Sequence, residues 1–240
     1  MSQTHSPSND MDGLKAAVDR HMALCAGLRE HCERCLATQR WGGSVVLMVV
    51  DAAFMSIGLN YFTSVVPAVA AYEERMRCGQ VPATLGELSH VDYDNVSALW
   101  KNRRSWQMAR EAAAALARHG EDDPAALRKW AAAAPIETWR QDPVGAVNGV
   151  GINTYQYLRM MGGVDTSMPD KIVRRVIAAI VAEAQAGLPT TGDLELIATI
   201  DRIASVTSYR PIELCWMTWM VQSEGKTMRM DKYRDLLQRI

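Results

Sequence analysis

A chain of 240 residues with 48% hydrophobic and 22% charged side chains can build one large core or two small ones, as ordinary globular proteins do. Its net charge of −1 argues against a strongly basic, non-specific nucleic-acid binder, yet leaves room for a local basic face, because phosphate contact depends on where charge sits. No apolar run reaches the roughly 20 residues needed to cross a bilayer, so no membrane contact is expected; the most apolar stretch, Ser44 to Phe62, is broken by Asp51, Gly58 and Asn60.

The first segment, MSQTHSPSNDMDG, is polar and lacks the basic flank and apolar centre of a signal peptide. Residues 1–10 are expected to be disordered and the protein to be cytoplasmic. A helix is predicted from Met11 to Arg40, ending before Trp41-Gly42-Gly43. Its stripe of Leu14, Val18, His21, Cys25, Leu28, Cys32 and Cys35 advances in alternating steps of four and three, which is one helix face. The same cysteines read C-x6-C-x2-C, but the position that would complete an iron–sulfur loop is Trp41. Buried cysteine behaves as a small hydrophobe; the competing reading is a metal site with His31 as a further ligand. Cys78 and Cys215 have no cysteine neighbours, so neither disulfide nor cluster is expected.

Further helices are predicted at Ser44–Ile57 and at Thr63–Cys78, the latter with Gly79 as its cap. Thr84-x-x-Glu87 fits a capping box opening a short helix, and Asp94–Trp100 reads as another. The alanine-rich Ser105–His119 stops at Gly120; Pro124 begins a helix to Ala134, and Pro135 begins one containing Trp139. Helices follow at Asn153–Met161, Asp170–Ala186, Asp193–Val206 and Ile212–Ser223, with a last segment at Asp231–Gln238. With no strand alternation and no repeat, the expected class is all-α, an orthogonal helical bundle with short connections.

Two short stretches carry chemistry. Gly149-Val150-Gly151 lies between helices, where glycines let the backbone approach another group closely, and the free N–H groups of the helix that follows attract anions such as phosphate. The plain alternative is a tight turn. Asp170 heads a helix with Lys171, Arg174 and Arg175 on its outer face and Ile172, Val173, Val176, Ile177 and Ile180 inward. Ser167-x-x-Asp170 matches a capping box, and acidic residues suit a first turn, so taken alone Asp170 reads as a cap. No G-x-S-x-G, H-E-x-x-H or P-loop occurs, and the five histidines sit apart.

Together, the stretch VNGVGINTY over 147–155, the Gly162-Gly163 reversal and PDKIVRRV over 169–176 resemble the helix-hairpin-helix DNA glycosylase superfamily, which includes endonuclease III and the alkyladenine-type glycosylases. There a hairpin L/V-x-G-V-G-x-x-T-A precedes V-D-T-H-V-x-R-V. Weaker likenesses are TLGEL over 84–88, NRRSWQMA over 102–109, SYRPIELCWMTW over 208–219 and a helix pair across 45–65.

The resemblance implies two helical sub-lobes with the active-site cleft between them, formed by residues 11–240 as one domain with a hairpin core near 136–186. It implies a base-excision repair glycosylase acting on double-stranded DNA as a monomer, with no cofactor and no metal. Asp170 takes the place of the catalytic aspartate. Gly149, Gly151, Asn153, Thr154, Lys171, Arg174, Arg175, Arg103 and Arg104 would contact DNA, and Phe54, Tyr61, Trp216 and Trp219 would line the base pocket. Tyr155 and Tyr157 also follow the turn, and at most one of them should face DNA.

The departures matter. The position of the Schiff-base lysine in bifunctional members is Asn153 here, so lyase activity is not expected; the family's T-H after the aspartate is Lys171-Ile172, and no iron–sulfur loop is present. The alternatives are a non-catalytic DNA-binding paralogue and a helical protein-interaction domain.

Overall fold

The structure, a computed structural model, describes residues 7–222 and 240. Among the described residues there are twelve α-helices and short 3-10 and π turns, and no strand. The all-α class expected from the sequence is what is found. Residues 1–6 and the predicted helix at Asp231–Gln238 lie outside the described residues.

The described residues divide into two compact units, one of 7–32 with 165–222 and the other of 33–164 with 240. The first holds α1 (Pro7–Met22), the start of α2 (Leu28–Leu36), α10 (Lys171–Glu183), α11 (Asp193–Val206) and α12 (Pro211–Gln222). In it α10 packs on α1 and α12, and α11 packs on the same two. Burial of Ile172, Val173, Val176, Ile177 and Ile180 fulfils the apolar stripe of α10.

The second unit holds α3 (Val45–Met55), α4 (Val66–Arg77), α5 (Leu85–Leu88), α6 (Tyr93–Val96), α7 (Arg103–Leu116), α8 (Asp123–Ala133) and α9 (Ile152–Met161). Its centre is α3, every residue of which from Val45 to Phe54 is buried. A helix apolar on all sides belongs in a core, and α3 is covered by α4, α7, α8 and α9. Each Val, Leu or Phe buried there contributes about 1.5–3 kcal/mol of transfer free energy.

Helix starts follow the local signals. Ser44 accepts from the Leu47 amide, Asn102 from Ser105 and Asp122 from Ala125, while Thr84 and Glu87 close the expected capping box. Each satisfies donors that the first turn of a helix leaves open.

Three predicted elements differ. The helix across 11–40 is two helices, interrupted at Gly27, whose φ of 77° is readily adopted only by glycine. The stripe nevertheless holds: Leu14, Val18, Cys25, Leu28, Cys32 and Cys35 are all buried. The N-terminal end of that region is helical from Pro7 rather than disordered to residue 10.

After Pro135 the chain forms only a 3-10 turn, Trp139–Gln141. Asp142 is held extended before Pro143, and its carboxylate accepts from the Val144 amide at 2.9 Å and from Trp130 Nε1 at 3.0 Å. A side chain that binds nearby backbone in this way competes with helix. Finally, α10 is capped by Asp170 itself, with no capping box from Ser167.

Candidate functional site

Asp170 is the N-cap of α10. Its Oδ1 accepts from the amides of Ile172 at 2.7 Å and Val173 at 2.9 Å, and its Oδ2 accepts from Trp219 Nε1 at 2.8 Å. The carboxyl is pushed above the usual range chiefly by burial; the two amides, the indole and Lys171 pull it down without cancelling that effect. Trp219, expected as a stacking residue, is therefore an orienting partner of Asp170 in this unit. Trp216 is buried and meets the His31 ring edge-on at 4.8 Å.

The cations beside Asp170 differ from one another. Lys171 and Arg175 are exposed. Arg174 donates to the carbonyls of Pro169, Thr190, Thr191 and Gly192 and pairs with Asp193. Its guanidinium ties the head of α10 to the turn before α11, so its donors are committed to the backbone rather than left for a phosphate.

The glycine turn belongs to the other unit. Gly149 has a φ of 97°, and a side chain there would start 3.6 Å from Met108 Sδ on α7, so the turn lies directly over that helix. Gly151 is the N-cap of α9, supplies no side-chain cap, and faces open space. The helix head is thus left without a side-chain acceptor of its own capping residue, which is the arrangement that favours an anion. Asn153 is partly buried with its Oδ1 unpaired among the described residues. Thr154 is buried, so its side chain is not presented to DNA. Arg103 and Arg104 are exposed in the first turn of α7, and the Arg103 guanidinium lies 5.4 Å from the centre of the Tyr93 ring. The turn and these two arginines are therefore parts of one unit, the turn lying over α7 and the arginines opening that helix.

The remaining aromatic candidates are in the core. Phe54 is fully buried, stacked on Trp100 at 4.4 Å and edge-on to Trp106 at 5.0 Å. Tyr155 is fully buried against Trp130. Neither presents a face to a base. Tyr61 and Tyr157 are both buried in a polar cluster that the sequence reading missed.

That cluster centres on Asp51. Its Oδ2 accepts from Trp41 Nε1 at 2.8 Å, from the Tyr61 hydroxyl at 2.9 Å, from the Tyr157 hydroxyl, and from Arg40 Nη2 at 3.4 Å. Arg40 also donates to the Tyr61 hydroxyl. Arg40 and Asp51 are both fully buried. Burial drives both phenol pKa values well up. For Arg40 the largest effect, burial, acts downward, but the two tyrosines and Asp51 outweigh it and hold the guanidinium protonated.

Two unusual backbone features build this cluster. Trp41 adopts a left-handed conformation with a φ of 53°, and Tyr61 opens a π-helical turn, Tyr61–Val65. Both are costly or rare conformations that tertiary contacts must sustain. One sequence signal pointed here, the lone Asp51 inside an otherwise apolar helix: a buried carboxylate needs partners.

Among the described residues no group of three or more His, Cys, Asp or Glu side chains is placed to hold a metal ion, and no helix is long and apolar enough to cross a membrane. None of the five cysteines is in a disulfide. Comparisons with protein-family models, with curated proteins and with solved structures found no match.

Proposed function

We propose that this protein is a monofunctional DNA glycosylase of base-excision repair, hydrolysing the N-glycosidic bond of a damaged or modified base flipped out of double-stranded DNA. The observation that carries the reading is Asp170, a half-buried carboxylate held in one orientation by two backbone amides and an indole N–H at the head of a helix. Its support is the likeness of 147–155 and 169–176 to the two-part motif of the helix-hairpin-helix glycosylases.

In such a reaction the bond from C1′ to the base nitrogen breaks, the base leaves with the bonding electrons and takes up a proton, and a water oxygen adds to C1′. Positive charge develops on the sugar as in glycoside hydrolysis. One fixed carboxylate beside C1′ stabilises that charge and orients the water. Base flipping brings C1′ and the base out of the stack. The head of α9 would hold a phosphate, and Lys171 and Arg175 would neutralise others. Asn153 offers no amine for a Schiff base, so strand cleavage by that route is excluded from the proposal.

The second reading is that Asp170 only caps α10, and the observation favouring it is that both carboxylate oxygens already have donors. One experiment decides between them. Affinity for intact duplex is compared with affinity for a duplex carrying a cationic pyrrolidine abasic analogue, in wild type and Asp170→Asn. Transition-state mimics bind more tightly than ground states, so the glycosylase reading expects a strong preference for the analogue that disappears in Asp170→Asn. Equal affinities in wild type would leave Asp170 as a cap.

A further inference from the structure

The segment that leads into Asp170 is pinned to α12 at three points. Asp165 Oδ1 accepts from the Ile212 amide at 3.0 Å, Cys215 Sγ accepts from the Met168 amide at 3.4 Å, and Asp170 Oδ2 accepts from Trp219 Nε1 at 2.8 Å. Ile212, Cys215 and Trp219 follow one another at spacings of three and four residues, so they share one face of α12. The contacts advance in the same direction along both stretches. Residues 165–170 therefore run along that face from the start of α12 toward its end.

The middle contact controls the last one. Thr166, Ser167 and Met168 are buried, as is Cys215, and the sulfur is the acceptor that the Met168 amide finds among the described residues. A buried amide left without an acceptor is costly. Pro169 has no N–H, so Met168 supplies the last backbone donor ahead of Asp170 itself. Proline also fixes its own φ and confines the residue before it to extended backbone. Met168-Pro169 is thus a stiff link, and a shift of the Met168 amide is passed on to Asp170. There Oδ1 is held by amides of α10, two and three residues away, whereas Oδ2 depends on an indole 49 residues away. The bond that such a shift disturbs is the one to Trp219.

We propose that Cys215 is a positioning residue for Asp170: by accepting from Met168 it fixes where the Asp170 carboxylate stands relative to Trp219. A thiol suits the place because it packs as a small hydrophobe and its sulfur still accepts a hydrogen bond. The consequence for base release rests on the glycosylase reading; the positioning itself does not.

The test compares the full chain with Cys215→Ala and Cys215→Ser. Both variants lose the bulk of the sulfur, but only serine keeps an acceptor, so packing alone gives the same result in both. Two NMR readouts are taken: exchange of the Trp219 indole N–H with deuterium, and titration of the Asp170 carboxyl. In Cys215→Ala the indole N–H should exchange about tenfold faster or more. The Asp170 carboxyl should titrate higher, because the indole bond that favours its charged form is weakened. Lys171, the charged side chain acting on the same carboxyl, is untouched in both variants. Cys215→Ser should stay close to wild type in both readouts. Wild-type values in Cys215→Ala, or a Cys215→Ser that matches Cys215→Ala, overturns the proposal. If Cys215→Ala melts too early to be read, exchange in the unaltered protein decides. There the Met168 amide and the Trp219 indole N–H should be protected to within about tenfold of each other, and a Met168 amide that exchanges freely beside a protected indole overturns the proposal. Neither readout needs DNA. Failure of the glycosylase reading, seen as no base release, and failure of this one are therefore distinguishable.

Discussion

Asp170 shows how one side chain answers to competing demands. As an N-cap its Oδ1 satisfies two amides, and replacing such a cap with alanine costs about 0.5–2 kcal/mol. Burial nevertheless raises its carboxyl above the usual range, so the folded state holds the proton more tightly than the unfolded chain does. Stability from this group is therefore fully present below the unfolded carboxyl pKa and is lost as pH rises through the higher, folded value. Relative to Asp170→Asn, wild type should lose stability across that window, measured by urea denaturation as a function of pH. Trp219→Phe removes an indole N–H that favours the carboxylate, so the Asp170 carboxyl should titrate higher still in an NMR pH series. If base release requires ionised Asp170, the acid limb of its pH profile should move to higher pH in the same variant. A packing role for Trp219 alone would move neither.

The Asp51 cluster makes the residue-scale contrast. Its partners at positions 40, 41, 61 and 157 come from three places in the chain. Removing one member of a buried pair such as Arg40–Asp51 leaves an uncompensated charge, which typically costs about 3–5 kcal/mol. Nothing about a single helix period marks Arg40 or Tyr157 as buried and paired.

At the scale of elements, starts were readable and breaks were not. The caps Ser44, Thr84, Asn102 and Asp122 act within three residues of themselves, so the sequence shows both partners in one window. The break at Gly27 leaves the apolar stripe in step, since Cys25 and Leu28 are buried on both sides of it; a pattern of burial alone reads straight through. Two glycines around α9 offer a test of what the element does. A side chain at Gly162 would start 2.3 Å from Ala131 Cβ and 2.9 Å from the Leu127 carbonyl, both on α8. Gly162→Ala should destabilise by about 1–3 kcal/mol through overpacking. At Gly151 the same substitution meets nothing within 4 Å, so stability should change by about 0.5 kcal/mol or less. Chemical denaturation of the two variants checks the pair. If the head of α9 receives a phosphate, Gly151→Ala should also weaken duplex binding at low salt, whereas equal binding would count against that role.

For the whole molecule, burial of the cysteines supplies a direct readout. Cys25, Cys32, Cys35 and Cys215 are buried and Cys78 is exposed; burial alone pushes the Cys25 thiol to about 11. A thiol reagent at neutral pH should therefore modify one cysteine rapidly in the native protein, since the thiolate is the reactive form. All five should react in denaturant. More than one fast thiol in the native state would contradict the packing of α1, α2 and α12. The same burial explains why C-x6-C-x2-C forms a core stripe: Cys32 and Cys35 occupy positions that α2 turns inward, and Cys25 is buried in the connection before it.

The sequence by itself determined that the chain is helical, where most helices begin, and which faces of them are apolar, because helix period and capping are short-range properties. Only the tertiary structure decided that α3 is buried on every side from Val45 to Phe54, that Phe54 and Tyr155 are core, that Arg174 serves a backbone turn, and that Asp170 is oriented by Trp219, which lies 49 residues further along. The physical reason is that a buried polar group takes whichever partner folding brings within hydrogen-bonding distance, and that choice depends on packing between elements far apart in the chain.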